Sequence, residues 1–215
     1  MNDQTPSAAA NTPSASTHTH APTTSQIRRA TPDDADALVQ LVDIAGEGLA
    51  SYLWDLSRAE GQSVWDYGRE RALRESGAFS YRNADLIDAA DGSCGGCLIC
   101  YAIPEVVEPI PDDMPAMFRP LQELENLAPG TWYVNVLAVF EQYRGKGYGS
   151  ALLNHADAQA AEAGLNGLSI IVSDANVGAR RLYARHGFVE RASRPKVKDG
   201  WKNDGQNWIL MTKLA

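Results

Sequence analysis

No run of apolar residues in this chain approaches the length needed to cross a membrane as a helix, although 44% of its 215 residues are hydrophobic. The apolar content is spread instead over short blocks, as expected of one domain with a sizeable core. The first 25 residues carry no aromatic side chain and are mostly Ala, Ser, Thr, Pro and Asn. They cannot bury enough apolar surface to offset the entropy of ordering, so 1–25 is expected to be a disordered tail. That tail lacks the charged-then-apolar order of a secretory signal. Arg28-Arg29 is followed by Asp33, Asp34 and Asp36 where a twin-arginine signal needs a hydrophobic stretch. A cytoplasmic location and no membrane partner are the expectation.

Basic residues are in deficit. Nineteen Lys and Arg against 27 Asp and Glu leave a formal net charge of −8, the wrong sign for a general nucleic-acid partner. Much of the imbalance falls in the Pro-rich segment 104–130, where Glu105, Glu108, Asp112, Asp113, Glu123 and Glu125 oppose only Arg119, and which reads as an acidic insertion. Cysteine is confined to positions 94, 97 and 100. With no fourth ligand a zinc site is not expected, and because 97–103 reads as a strand entered through a Gly95-Gly96 turn, the thiols are expected to be buried and structural. An odd number of them suits a reducing compartment. His18 and His20 have too few neighbours to hold a metal, and no metal is expected elsewhere. No internal repeat is visible.

What is present is an alternation of short strands and helices. A strand at 27–30 leads through Thr31-Pro32-Asp33-Asp34, which has the residues of a capped helix start, into an apolar stripe of Leu38, Leu41, Val42 and Ala45. Gly46-Glu47-Gly48 breaks that helix, and helical stretches follow at 52–56 and 63–75. Strands are expected at 79–89 and 97–103 as a hairpin, a short helix at 121–127, a core strand at 132–139, a helix at 148–163 stopped by Gly164, a strand at 168–172, a helix ending at His186-Gly187, and a last strand at 208–213.

The most telling stretch joins the core strand to the long helix: Arg144-Gly145-Lys146-Gly147-Tyr148-Gly149-Ser150. Glycines remove the side chains that block close backbone approach, and the first turn of a helix leaves N–H donors without intrahelical partners, so an anion is expected there. A Walker loop is excluded because Lys146 is followed by glycine where a hydroxyl residue is required. A dinucleotide fingerprint is excluded because the second glycine gap is wrong. What fits is R-x-x-G-x-G, formed by Arg144, Gly147 and Gly149. Downstream, the strand at 168–172 is followed by Asn176-x-x-Ala179-x-x-x-Tyr183 and Gly187-Phe188.

These two blocks, in this order and separated by one helix and one strand, resemble the GNAT superfamily of acyl-CoA-dependent N-acetyltransferases. The resemblance runs from about residue 27 to the C-terminus and is strongest over 132–189. It implies an α/β (α+β) domain at 26–215: a central mixed, mostly antiparallel twisted sheet of six to seven strands, splayed between the fourth and fifth, with helices on both faces. The implied cosubstrate is acetyl-CoA, with no metal. Its pyrophosphate is expected against the backbone of Arg144, Gly145, Lys146, Gly147, Tyr148, Gly149 and Ser150, and its pantetheine arm beside Leu137, Ala138 and Val139. Asn176 is expected to touch that arm, although Asn there also suits a helix cap. Tyr183 is expected near the thioester sulfur as the proton donor, its ordinary pKa of about 10 keeping it protonated. Arg180, Arg181 and Arg185 form a basic cluster that suits either a ribose phosphate or the solvent.

Family members deprotonate the amine in different ways, so no motif identifies the base. Glu47 and Asn135 are the acceptor-side candidates, with Glu123 and Glu125 behind them. Tyr52, Trp54, Trp65 and Trp132 are aromatics that suit either an acceptor cleft or the core. The expected activity is transfer of acetyl to a primary amine, best matched to a small molecule because 104–130 is long enough to enclose a pocket. Acetylation of a protein N-terminus or lysine, and a non-catalytic acyl-CoA sensor, are the alternatives, and a homodimer is left open.

Overall fold

A computed structural model describes residues 26–107 and 109–214; the tail expected at 1–25 lies outside the described residues. Strand β1 (Ile27–Arg29) leads through a 3-10 turn, Pro32–Asp34, into helix α1 (Ala35–Ala45). Thr31 is the N-cap of that turn and forms a reciprocal capping box with Asp34. The Asp34 carboxylate accepts from the Thr31 backbone N–H at 2.7 Å and from its hydroxyl at 2.9 Å. After the Gly46–Gly48 break come α2 (Leu49–Ser57) and α3 (Val64–Ala72), the latter capped by the Ser63 hydroxyl accepting from the Asp66 amide.

The hairpin of β2 (Ala84–Asp88) and β3 (Cys94–Ala102) differs from expectation at both ends. Strand β2 starts only at Ala84, because the Ser80 hydroxyl accepts from the Arg82 amide and folds 81–83 into a 3-10 turn. The Gly95-Gly96 pair makes no turn. It lies inside β3, where a Cβ on Gly95 would sit 2.7 Å from the Tyr148 ring and one on Gly96 2.5 Å from the Ala138 carbonyl oxygen. These glycines let the neighbouring strand and the start of the long helix come close. The three cysteines are free, and burial pushes the Cys94 thiol up to about 11 and the other two higher still.

The chain continues through α4 (Arg119–Glu125), β4 (Trp132–Val139), α5 (Tyr148–Glu162), β5 (Gly167–Ser173), α6 (Val177–Arg185), β6 (Val189–Pro195) and β7 (Asn207–Leu214). Among the described residues the strands form one seven-stranded sheet, ordered β1-β2-β3-β4-β5-β7-β6 and antiparallel except for β4 with β5. Strand β6 has no counterpart in the pattern of the sequence. It is an edge strand, largely exposed and rich in charge, so it has no apolar alternation to betray it.

Helices cover both faces. Leu152, Leu153 and Ala156 of α5 and Tyr183 of α6 pack on Val134 and Ile170. Leu38 and Leu41 of α1, Trp54 of α2 and Ala72 of α3 pack against Ile99, Val136 and Ala138. A third cluster joins Leu124 of α4 to Tyr133, Trp201, Trp208 and Leu210. The acidic insertion is therefore anchored by its apolar residues. Glu123 pairs with Arg194 at 2.7 Å, and burial pushes the Glu125 carboxyl up to about 7 even though the Tyr101 hydroxyl donates to it.

One irregularity opens the sheet. The β3–β4 register pairs Ile99 with Val136 and Cys100 with Val134, leaving Asn135 as an extra residue. Such a bulge bends its strand and re-aims a side chain. Strand β5 pairs with β4 only at Trp132, Tyr133 and Val134, so the two strands part immediately before Asn135.

Candidate functional site

A cavity of about 720 Å³ occupies the gap where β4 and β5 diverge. One end is the turn into α5. Gly145 and Gly147 have φ of +75° and +86°, a left-handed backbone that other L-residues rarely adopt, and a Cβ at either would project into open space. Gly147 is the N-cap of α5, and no side chain caps that helix. Its first amides are thus left for a ligand, with the positive end of the dipole behind them. This end is braced from the β2–β3 turn: the Tyr143 hydroxyl donates to Asp91 at 2.8 Å, and Ser93 together with Tyr143 holds the Asp91 carboxyl down at about 2. Ser150 lies 2.9 Å from His186 Nε2.

Of the residues expected at this end, Arg144, Gly145, Gly147, Tyr148, Gly149 and Ser150 line the cavity, as do Leu137, Ala138 and Val139 along its middle. Beyond Val134 the side of β4 facing β5 has no strand partner, which leaves backbone groups free for an extended guest. Lys146 is the exception. Its ammonium lies 5.0 Å over the Tyr143 ring and does not line the cavity. Arg185 lines it, whereas Arg180 is engaged with Glu190 at 2.6 Å.

Both residues of the second motif reach the cavity. Asn176 is also the N-cap of α6, its Oδ1 accepting from the Ala179 amide at 3.1 Å, so its cap role is visible directly. Tyr183 is buried against Phe188, and that burial raises its phenol well above the ordinary value. The hydroxyl therefore stays protonated across the physiological range.

The other end is formed by Ile44 and Ala45 at the end of α1, Glu47 in the α1–α2 break, Asn135 at the bulge, and Ser173 and Trp208 from the ends of β5 and β7. Glu47 is the only carboxylate among the described residues lining the cavity. Its φ of +54° is unusual for a side-chain-bearing residue and costs about 1–3 kcal/mol. The carboxylate accepts from Asn203 Nδ2 at 2.8 Å and lies 3.7 Å from Lys196 Nζ, both at Oε2.

The Lys196 side chain is fully covered. It donates to Ser173 Oγ and Asn203 Oδ1, both at 2.7 Å, and sits 4.1 Å over the Trp208 ring and 5.2 Å from that of Trp201. The two indoles stack at 5.9 Å. Burial lowers the lysine's pKa while Glu47 and Asp174 oppose that shift. Desolvating an ammonium costs several kcal/mol; a desolvated cation–π contact contributes about 2 kcal/mol against it.

The remaining sequence candidates lie elsewhere. Glu123 and Glu125 do not line the cavity, nor does any described residue of 104–130, so the described part of this segment does not wall it. Trp54 is core, stacked on Phe79, and Trp65 is half exposed. Trp132 donates to Gln159, and Tyr52 donates to the Asp199 carbonyl. Ser173, Lys196, Asn203 and Trp208 were not singled out from the sequence: they belong to no motif and meet only through the β6–β7 hairpin. Among the described residues no group of three or more His, Cys, Asp or Glu is placed to hold a metal ion, and no helix is long and apolar enough to cross a membrane.

Comparison with known proteins gives a consistent picture. The model of the acetyltransferase (GNAT) family matches residues 49–188. No curated protein matches the chain. Among solved structures, an acetyltransferase superposes with a TM-score of 0.60 at 22% identity, covering 88% of this chain and 98% of its own. An N-acetyltransferase from Staphylococcus aureus Mu50 gives 0.59 at 17% identity, over 87% of this chain and 100% of its own. Ard1 from Thermoplasma volcanium gives 0.55 at 17% identity, over 89% and 97%. At such identities the likeness establishes the fold.

Proposed function

Because the chain belongs to the acetyltransferase (GNAT) family and is thereby an acyl-CoA-dependent acetyltransferase, we propose that it moves the acetyl group of acetyl-CoA to a primary amine of a small molecule, by direct attack within a ternary complex. The observation that carries this reading is the polarity of the cavity. Arg144 and Arg185 line it together with the uncapped amides of α5, whereas the one carboxylate among the described lining residues, Glu47, comes from the α1–α2 break. An anion suits the first region and an ammonium the second.

Bound there, acetyl-CoA supplies an acetyl thioester. The backbone from Arg144 to Ser150 holds the pyrophosphate, with the helix dipole contributing about 0.3–1 kcal/mol, and up to about 2 where partly buried. The unpaired backbone of Leu137 to Val139 pairs with the pantetheine arm, and an amide in this stretch stabilises the developing oxyanion by about 3 kcal/mol. Glu47 takes the proton from the arriving ammonium, with Asn135 beside it. As the C–N bond forms and the C–S bond breaks, Tyr183, kept protonated by burial, delivers a proton to the departing thiolate, and the nitrogen's second proton restores the phenol, while the proton taken by Glu47 leaves to solvent. The acceptor end is lined by a few side chains from the end of α1 and the α1–α2 break, the Asn135 bulge and the ends of β5 and β7, a set that suits a compact amine.

The test is a panel of monoamines, diamines, amino acids, amino sugars and short peptides incubated with acetyl-CoA, reading out free thiol. Turnover with free amines above that with N-terminal or lysine peptides supports the proposal. Turnover confined to peptides transfers the activity to protein acetylation, and tight coenzyme binding with no turnover on any amine makes the chain a sensor.

A further inference from the structure

The connection between β6 and β7 carries two residues that the reaction just described does not use, Lys196 and Asn203, and both converge on its base. Lys196 and Asn203 both approach Glu47 Oε2, which leaves Oε1 without a partner among the described residues. The geometry points to Lys196 and Asn203 as positioning residues that hold the Glu47 carboxylate in its left-handed perch, with Oε1 turned to the amine. This inference rests on the reading of Glu47 as the base.

Three observations bear on it. First, the lysine is itself immobilised: Ser173 and Asn203 each accept from its ammonium, and two stacked indoles cover it. A charge held this tightly cannot serve solvation, and the carboxylates that face it are Glu47 from the α1–α2 break and Asp174 at the end of β5, with Lys198 the nearby like charge. Second, Asp174 is already committed to the hairpin, accepting from the amides of Gln206 and Asn207 at 2.9 Å each. Glu47 is the one with an oxygen to spare. Third, the hairpin closes over the lysine at a glycine. A Cβ on Gly205 would come 2.3 Å from Ser173 Oγ and 2.6 Å from Lys196 Nζ, so the loop is shaped around this ammonium. Glu47 and Asn203 are 156 positions apart, and the contact ties the front of the domain to its last hairpin.

Lys196→Met, Asn203→Ala and Glu47→Gln are compared as full-length proteins. Kinetics use the amine of highest kcat/KM in the panel, and coenzyme A affinity by calorimetry checks the fold. Glu47→Gln is expected to lose about 10²–10⁴-fold in kcat, and Lys196→Met and Asn203→Ala about tenfold or more, a fraction of what a base contributes. Coenzyme affinity should hold within about twofold, and adding either change to Glu47→Gln should cost little more, because all three act through one group. In Lys196→Met the loss should fall on kcat, with the KM for the amine held within about threefold, because the carboxylate is misdirected rather than removed.

Unchanged kcat in Lys196→Met, with Glu47→Gln still slow, overturns the positioning role and leaves the base in place. Unchanged turnover in Glu47→Gln overturns the base and the positioning together. Losses that add fully to that of Glu47→Gln show a merely structural effect and overturn the positioning role. Should Lys196→Met not fold, Asn203→Ala decides: slowed turnover with intact coenzyme affinity supports the role, and wild-type turnover overturns it.

Discussion

The two ends of the cavity are built on different principles. The proposed coenzyme end is built chiefly on one continuous stretch, Leu137 to Ser150, and offers mostly backbone: left-handed glycines, uncapped amides and an unpaired strand side. The proposed acceptor end is assembled from residues 47, 135, 173, 196, 203 and 208 and offers side chains held by other side chains. A backbone site constrains which residues are absent, and that constraint is local. A side-chain site constrains which residues are present, at positions that the chain path alone brings together.

The largest test of this contrast is Tyr183→Phe, which removes one hydroxyl between the two ends. Turnover should fall by about 10²–10⁴-fold while coenzyme affinity stays put; a matching loss of affinity would place the tyrosine with the coenzyme-holding group. Next is Gly147→Val. With φ at +86° the branched side chain brings strain of about 1–3 kcal/mol and blocks backbone approach, so calorimetric coenzyme A affinity should drop by roughly ten- to a hundredfold. Intact affinity would break the assignment of this end.

Glu125 belongs to neither end and should change stability alone. Its carboxyl is raised from 4.5 to about 7 by burial. The native state therefore holds the proton more tightly than the unfolded chain, and the associated stability is full below about pH 4.5 and lost as the pH rises through 7. Glu125→Gln should be about 2 kcal/mol more stable than the parent at pH 8 and equal to it near pH 4.5 in denaturant titrations, with turnover unchanged. The smallest effect is expected for Asn176→Ala, which deletes the α6 cap and should cost about 1 kcal/mol in the same titration. A fall in coenzyme affinity beyond that cost would show that Asn176 also contacts the guest.

Much of the architecture was legible in advance. The core strand at 132–139, the helix opening at Tyr148 and the Asn176-to-Gly187 helix were all readable, because each has a strong apolar period bounded by glycine or a cap. Strand β6 was not, since an exposed edge strand needs no apolar face. The Gly95-Gly96 pair was misread as a turn because local sequence does not distinguish a glycine that bends the chain from one that admits a neighbouring tyrosine ring. The 104–130 segment looked like a pocket wall from its length and acidity, but Met117, Leu124 and Ala128 draw it into the core beneath β7.

Local pattern thus made the family resemblance, most of the sheet and the glycine turn into α5 legible, because helix starts, glycine backbones and apolar periods act over a few residues. The surroundings of the proposed acceptor end were decided by packing. Glu47 and Asn135 were candidates from the sequence, but only the fold sets Asn135 at a bulge beside the gap in the sheet and brings Lys196 and Asn203, late in the chain, to the Glu47 carboxylate. Contacts across that span follow from the order in which strands pair, and no short-range signal encodes that order.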